Sequence, residues 1–193
     1  MFSGIVTWKA KILDISWWTF VVENTFDTQE LSVWCSIAHD GACMTITSFS
    51  KETYSFFAMQ ESLSKTNFWQ KKAWETFNVE QCIRYGDRVD WHFVTGHIDT
   101  TWTVKSTHIA TDWSMELVIL YPQAFNPYII SKWSIAINGV SLTVVQDDID
   151  SFSVRLIPIT QELTNLSTLT KNHTVNLEYD MLAKYAYKHA QRT

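Results

Sequence analysis

Glycine is scarce in this chain. The 193 residues include only 5 glycines and 3 prolines, against 10 tryptophans. A turn-rich β protein usually shows the reverse balance, because glycine supplies the positive-φ positions of tight turns. A basic excess is missing too: 15 Lys and Arg stand against 20 Asp and Glu, a net charge of −5, which leaves no electrostatic footprint for nucleic acid. No apolar run approaches a membrane span, and the N-terminus lacks the basic-then-apolar layout of a signal peptide. The cysteines, Cys35, Cys43 and Cys82, are odd in number and have no C-x-x-C spacing, which reads as a reduced, cytoplasmic protein.

What is present is a repeat. Residues 36–47 (SIAHDGACMTIT) recur as 134–145 (SIAINGVSLTVV), an offset of 98 residues. The same offset carries Thr66-Asn67 onto Thr164-Asn165 and Asn78-Val79-Glu80 onto Asn176-Leu177-Glu178. A period this long is a duplicated domain, since solenoid units are far shorter. Two copies of one fold suggest two similar pockets, and so favour chemistry on two similar molecules.

The chain reads as β almost throughout. Residues 19–22, 44–47 and 152–157 are short runs rich in β-branched and aromatic side chains. Polar clusters at 48–53 and 146–151 occupy matching places and read as hairpin turns. The acidic run Asp147, Asp148 and Asp150 is expected to be a solvated turn in preference to a metal site. Alternation puts Ala42, Met44 and Ile46 on one face of a strand, and Val140, Leu142 and Val144 on the matching face of its copy. Cys43 with Thr45, and Ser141 with Thr143, then point outward, where a ligand or the other domain can meet them. Short strands with no room for crossover helices predict an all-β protein of antiparallel barrels or sandwiches. A boundary is expected in the charged segment 84–88, giving units 1–89 and 90–179. A C-terminal helix is expected within 180–193, with Asp180 as N-cap and Met181, Leu182, Tyr185, Ala186 and His189 on one face. Such a face covers a barrel or meets its copies in other subunits.

Residues 1–6 (MFSGIV), the Asp-Gly-x-Cys-x-Thr strand around Cys43, and residues 92–99 (HFVTGHID) resemble the riboflavin synthase family of lumazine-binding repeat proteins. The stretches 134–143, 156–158, 176–178 and 180–185 continue the pattern in order over nearly the whole chain. The resemblance implies two tandem Greek-key antiparallel six-stranded β-barrels and a C-terminal helix that gathers three subunits into a homotrimer. It implies dismutation of two molecules of 6,7-dimethyl-8-ribityllumazine by transfer of a four-carbon unit. The products are riboflavin and 5-amino-6-(ribitylamino)uracil, with no metal or cofactor. One site is then expected between the N-terminal barrel of one subunit and the C-terminal barrel of its neighbour, and a lumazine synthase is a possible associate.

Removing a proton from a lumazine methyl group, and adding a nucleophile at the ring carbon that bears it, require acid/base groups beside a polar ring. The resemblance makes His97 the first candidate and His92 the second; their H-x4-H spacing is not that of a zinc H-E-x-x-H. Cys43 and Ser141 are equivalent in the two copies yet chemically different, so they suit distinct donor and acceptor roles. Thr45 and Thr143 follow two positions on and can hydrogen-bond a ring edge. Asp180 matches a carboxylate near the reaction centre as well as a helix cap, and Lys132 matches a position that reaches the site. By matching, Gly4, Ile5 and Val6 present backbone to the first ring, and Gly96 and Ile98 do the same for the second barrel. Met44 and Leu142 belong to the two ligand-facing strands. Phe57, Ala58, Met59, Gln60, Glu61 and Ser62 are expected to wall one pocket. Leu156, Ile157, Pro158, Ile159 and Thr160 are expected to wall the other, with Thr66 and Thr164 nearby.

The chain departs from the family pattern in a systematic way. Trp34, Trp69, Trp74, Trp91, Trp102 and Trp133 stand where the pattern has glycine, Cys35 replaces an aspartate, and Ile159 replaces a polar residue. Either these turns take another conformation, or the fold is strained there, or the sequence is no natural optimum. The rivals to an enzyme are a non-catalytic, antenna-type lumazine- or flavin-binding protein and an inert duplicated scaffold.

Overall fold

The outward and inward faces expected for the repeated strand are the ones found. Ala42, Met44 and Ile46, and likewise Val140, Leu142 and Val144, are buried, while Thr45 and Thr143 are exposed. The computed structural model describes residues 1–192; the last position of the expected 180–193 segment lies outside the described residues. In the N-terminal half, β1 (Trp8–Ser16), β2 (Thr19–Glu23), β3 (Ser36–His39), β4 (Ala42–Phe49), β5 (Thr53–Phe57) and β6 (Thr76–Gln81) close into an antiparallel barrel in the order β1-β2-β5-β4-β3-β6. In the C-terminal half, β7 (Thr100–Ile109), β8 (Met115–Leu120), β9 (Ser134–Ile137), β10 (Val140–Asp147), β11 (Ser151–Leu156) and β12 (Thr174–Tyr179) repeat that circular order. A one-turn helix α1 (Gln60–Lys65) follows β5, and α2 (Pro158–Leu163) follows β11. The chain ends in α3 (Met181–Ala190), where Asp180 Oδ1 accepts from the Leu182 N–H at 2.8 Å as its N-cap.

Barrel closure rests on register shifts at matching places. β1 shifts between Ile12 and Asp14, β7 between Val104 and Ser106, β4 between Ile46 and Ser48, and β10 between Val144 and Gln146. Each shift bends its strand, so that one end pairs with one neighbour and the other end turns the corner onto the next. The hairpin turns leave the acidic run paired locally: Asp150 meets Lys105 at 3.3 Å, and Asp147 accepts from the Tyr121 hydroxyl at 3.0 Å.

The two barrels meet back to back across a pseudo-twofold axis. A Cβ on Gly41 would lie 2.7 Å from the Gly139 nitrogen, and one on Gly139 would lie 2.8 Å from the Gly41 nitrogen, so only glycine admits this approach. Buried asparagines tie the seam reciprocally. The Asn78 amide donates to the Asn138 carbonyl at 3.0 Å, and the Asn176 amide to the Asp40 carbonyl at 2.9 Å. Backbone N–H groups of Asn165 and Asn67 donate to the Asn78 and Asn176 side chains, each at 2.7 Å. These are the residues the repeat carries from one half to the other, and burial obliges each to find its partner.

The copies differ in coordinated pairs. In the first, fully buried Asp40 meets Lys71 at 2.7 Å; at the matching positions the second has Asn138 and Leu169. In the first, His39 Nδ1 donates to the Ile37 carbonyl at 3.2 Å, which leaves Nε2 to accept from the Tyr54 hydroxyl at 2.8 Å. The second has Ile137 and Phe152 there. Such partners are kept or lost together, because Asp40 alone would be a buried charge without its counter-ion, and His39 Nε2 alone would lack its donor.

The tryptophan turns divide. Trp34 (φ 82°) and Trp74 (φ 76°) do take the left-handed conformation, but Trp69, Trp91, Trp102 and Trp133 do not. The turn before β9 places its positive φ on Lys132 (67°), one residue ahead of Trp133, and Asn172 (72°) holds the turn that matches Trp74. Trp17, Trp18 and Trp113, which the sequence did not single out, also have positive φ. At about 1–2 kcal/mol each, five such residues rival the net stability of a small domain.

Two outcomes follow for stability. Asp40→Asn or Lys71→Leu alone should cost about 3–5 kcal/mol in urea unfolding, with most of the loss recovered in the double variant. Burial depresses His39 from 6.5 to about 3. The stability this contributes is present above pH 6.5 and lost as pH falls toward 3, by about 5 kcal/mol. His39→Ile combined with Tyr54→Phe should remove that acid limb from a pH series of unfolding midpoints.

Candidate functional site

The segments that precede the two barrels exchange places. Phe2 and Val94 form an antiparallel bridge, with N–H···O distances of 2.7 and 3.0 Å. From there residues 3–6 run onto β10 of the C-terminal barrel, and residues 95–98 run onto β4 of the N-terminal barrel. The Ser141 N–H donates to the Gly4 carbonyl at 2.9 Å, and the Cys43 N–H to the Gly96 carbonyl at 2.8 Å. A Cβ on either glycine would lie 2.6 Å from the Cβ of Ser141 or Cys43, so each contact needs glycine. The arrangement is crossed relative to the sequence expectation: Gly4, Ile5 and Val6 serve the C-terminal barrel, and Gly96, His97 and Ile98 the N-terminal one.

Two glutamates, Glu178 buried and Glu80 half-buried, hold the crossing. Glu80 accepts from the Ser3 N–H and hydroxyl, each at 2.7 Å, and from the Gly4 N–H at 3.1 Å. Glu178 accepts from the Thr95 N–H at 2.6 Å, the Thr95 hydroxyl at 2.7 Å and the Gly96 N–H at 2.9 Å. Burial pushes both carboxyls above the usual range, against the pull of the donors facing them. The repeated Asn-x-Glu triplet was visible in the sequence, but this anchoring role was not.

On the C-terminal barrel the crossing encloses a pocket of about 440 Å³. Gly4, Ile5 and Val6 form one wall; Ser141, Leu142 and Thr143 of β10 form the floor; Ile157, Ile159, Thr160 and Thr164 close the far side. Such a volume, mostly apolar with a few convergent hydroxyls, suits a flat heteroaromatic ring with a polar edge. Trp91 stands on the rim. Arg155, which the sequence reading passed over, is the single charged side chain lining it; the matching residue of the other barrel is Phe57.

Other expected residues are distributed as follows. The His92 Nδ1 lies 2.7 Å from the Ser141 hydroxyl. Burial lowers the basicity of His92, and the Asp180 carboxylate partly restores it. His97 is exposed on the crossing segment beside Cys43, at the place that Ile5 occupies in the other pocket. Phe57 and Met59 are exposed on the N-terminal barrel. Gln60, Glu61 and Ser62 belong to α1, and Pro158 is the first residue of α2. Ala58 and Leu156 do not wall pockets: both are fully buried inside their barrels, because strand alternation turns them inward. Thr66 caps the turn after α1, donating to the Ser62 carbonyl at 2.7 Å. Lys132 lies in the turn before β9, where its N–H donates to the Val144 carbonyl at 2.7 Å, away from the pocket lining.

A lumazine binding domain model matches residues 3–82 and again 95–180, the two barrels in turn. The chain belongs to the lumazine-binding family. It is 34% identical over 189 residues to riboflavin synthase of Actinobacillus pleuropneumoniae, covering 96% of this chain and 87% of that one. It is 34% identical over 185 residues to riboflavin synthase of Escherichia coli, with 93% and 87% covered. Against riboflavin synthase of Mycobacterium tuberculosis it is 30% identical, with 96% of both covered. Among solved structures, LumP complexed with riboflavin superposes with a TM-score of 0.83 at 25% identity over 93% of this chain and 99% of that one. LumP complexed with 6,7-dimethyl-8-(1'-D-ribityl) lumazine gives a TM-score of 0.80 at 24% identity, with 92% and 98% covered.

By NMR titration, the His92 imidazole should titrate below the ordinary histidine value of 6.5, and lower still in Asp180→Asn. Asparagine keeps the helix cap but removes the charge that supports the proton.

Proposed function

We propose that the chain is a riboflavin synthase, a transferase that dismutates two molecules of 6,7-dimethyl-8-ribityllumazine. The observation that carries the reading is the duplicated crossing with unlike polar groups at its two versions: Cys43 with His97 on the N-terminal barrel, and Ser141, hydrogen-bonded to His92, on the C-terminal one. In the reaction, a base takes a proton from the methyl group of one lumazine, and a nucleophile adds to the ring carbon of the second. The carbanion then bonds to the second ring, and eliminations expel the added nucleophile, return the proton and break the two C–N bonds that held the four carbons to the donor. Four carbons leave one molecule for the other, giving riboflavin and 5-amino-6-(ribitylamino)uracil with no net oxidation and no cofactor.

His97 is our candidate for proton transfer on the N-terminal barrel. The His92–Ser141 pair, supported by Asp180, is our candidate for nucleophile or water activation on the C-terminal barrel. Because His97 and His92 serve different pockets of one chain, we place the reacting pair between the N-terminal pocket of one subunit and the C-terminal pocket of a neighbour in a homotrimer. The outward face of α3 is available for that assembly: Leu182 and Tyr185 are exposed, while the helix docks through Ala183, the Lys184–Asp99 ion pair at 2.9 Å and Tyr187 against Tyr128. A cytoplasmic location and an association with a lumazine synthase fit this role.

A non-catalytic, antenna-type carrier is the second reading. The likeness to LumP favours it, as does Trp91 on the pocket rim beside His92. Incubation with 6,7-dimethyl-8-ribityllumazine separates the two by the absorbance of riboflavin. The enzyme reading expects turnover that falls about 10²–10⁴-fold in His97→Ala. Tight binding without riboflavin contradicts it and supports the carrier.

A further inference from the structure

Every tryptophan of this chain sits badly by a physical criterion. Nine of the ten are 42–89% exposed, although tryptophan has among the largest areas to gain from burial. The tenth, Trp102, is half-buried with an indole N–H that finds no acceptor among the described residues. Five of them, Trp17, Trp18, Trp34, Trp74 and Trp113, hold φ between 48° and 82°, where glycine is at ease and a bulky L-residue is strained. The architecture makes that demand, not the indole: at the positions matching Trp34 and Trp74, the second barrel has Lys132 and Asn172 with the same positive φ. The exposed rings are spread over both barrels: Trp8 opens β1, Trp69 lies in the 3-10 turn 67–70, Trp17 and Trp18 share one hairpin turn, Trp34, Trp74, Trp113 and Trp133 lie in other turns, and Trp91 stands on the pocket rim. Meanwhile only 5 glycines remain, and 4 of them sit at the close approaches on the pseudo-twofold axis and its crossing segments.

We propose that the ten tryptophan positions are glycine positions, and that the chain made in its own host carries glycine at all of them. UGA, a stop in the common code, is read as tryptophan in some genetic systems and as glycine in others. One codon assignment therefore accounts for all ten positions together, which independent substitutions do not. The functional consequence rests on the lumazine reading: with glycine at 91, the rim beside the His92–Ser141 pair opens to the ring that the pocket is built to hold.

The test is the intact mass of the protein purified from its own host. Ten glycines, a mass lower by ten indolylmethyl groups with no tryptophan absorbance, is the expected result. Retention of tryptophan at any of the ten positions overturns the single-codon account. Independently, a recombinant chain with all ten changed, Trp34→Gly and its fellows, should unfold at higher urea than the tryptophan chain. Each positive-φ position should raise the folding equilibrium constant about tenfold. An equal or lower midpoint overturns the assignment of these sites to glycine. Neither readout uses a ligand, so failure of the lumazine reading leaves this inference standing, and its own failure leaves the lumazine reading untouched.

Discussion

Two glycines in backbone contact, Gly41 and Gly139, set the distance between the barrels, and the rest of the molecule is arranged around that approach. At this separation the asparagines of one half reach the backbone of the other, so the seam becomes a closed set of reciprocal hydrogen bonds. A side chain at either glycine would force the halves apart and strand several buried amides at once. This is the costly failure, since an unpaired buried polar group loses far more than a made bond contributes.

The same proximity makes the crossing possible. Only because the barrels abut can the segment ahead of one lie along β10 or β4 of the other, held by Glu80 or Glu178. The pocket on the C-terminal barrel is therefore a joint product of both halves, and the duplication yields two crossings that share a frame and differ in side chains. The frame is symmetric in glycine, asparagine and glutamate. The working residues are not: cysteine faces serine, histidine faces isoleucine, and Phe57 faces Arg155. A reaction in which two identical molecules play unlike roles needs that combination.

Much of this was legible in the sequence. The repeat and the alternation around Met44 and Leu142 disclosed the duplication, the barrel faces and the outward positions of Cys43 and Ser141. Asp180 could be read as a cap from its place ahead of the apolar helix face. The crossing was not legible, because residues 3–6 carry the same backbone information whichever barrel they meet; partner choice is a tertiary outcome. Ala58 and Leu156 were misplaced because a motif match assigns a stretch, whereas the pleat assigns alternate residues to opposite sides. The Asp40–Lys71 and His39–Tyr54 pairs were hidden for a related reason: each partner reads as ordinary until the closed barrel brings them together. The tryptophan turns were half legible. The excess of tryptophan over glycine signalled strain, but only the backbone showed that it falls on Trp17, Trp18 and Trp113 as well as on Trp34 and Trp74.

The central claim is that the segment ahead of each barrel completes the pocket of the other. Calorimetric titration of Gly4→Ala with 6,7-dimethyl-8-ribityllumazine tests it most directly, because the added methyl would lie 2.6 Å from the Ser141 Cβ of the C-terminal barrel. The account predicts that the unsubstituted chain binds two ligands, and that Gly4→Ala loses the C-terminal barrel's site while the other keeps its affinity. Loss of the N-terminal barrel's site instead, or two sites with affinities unchanged, would contradict it.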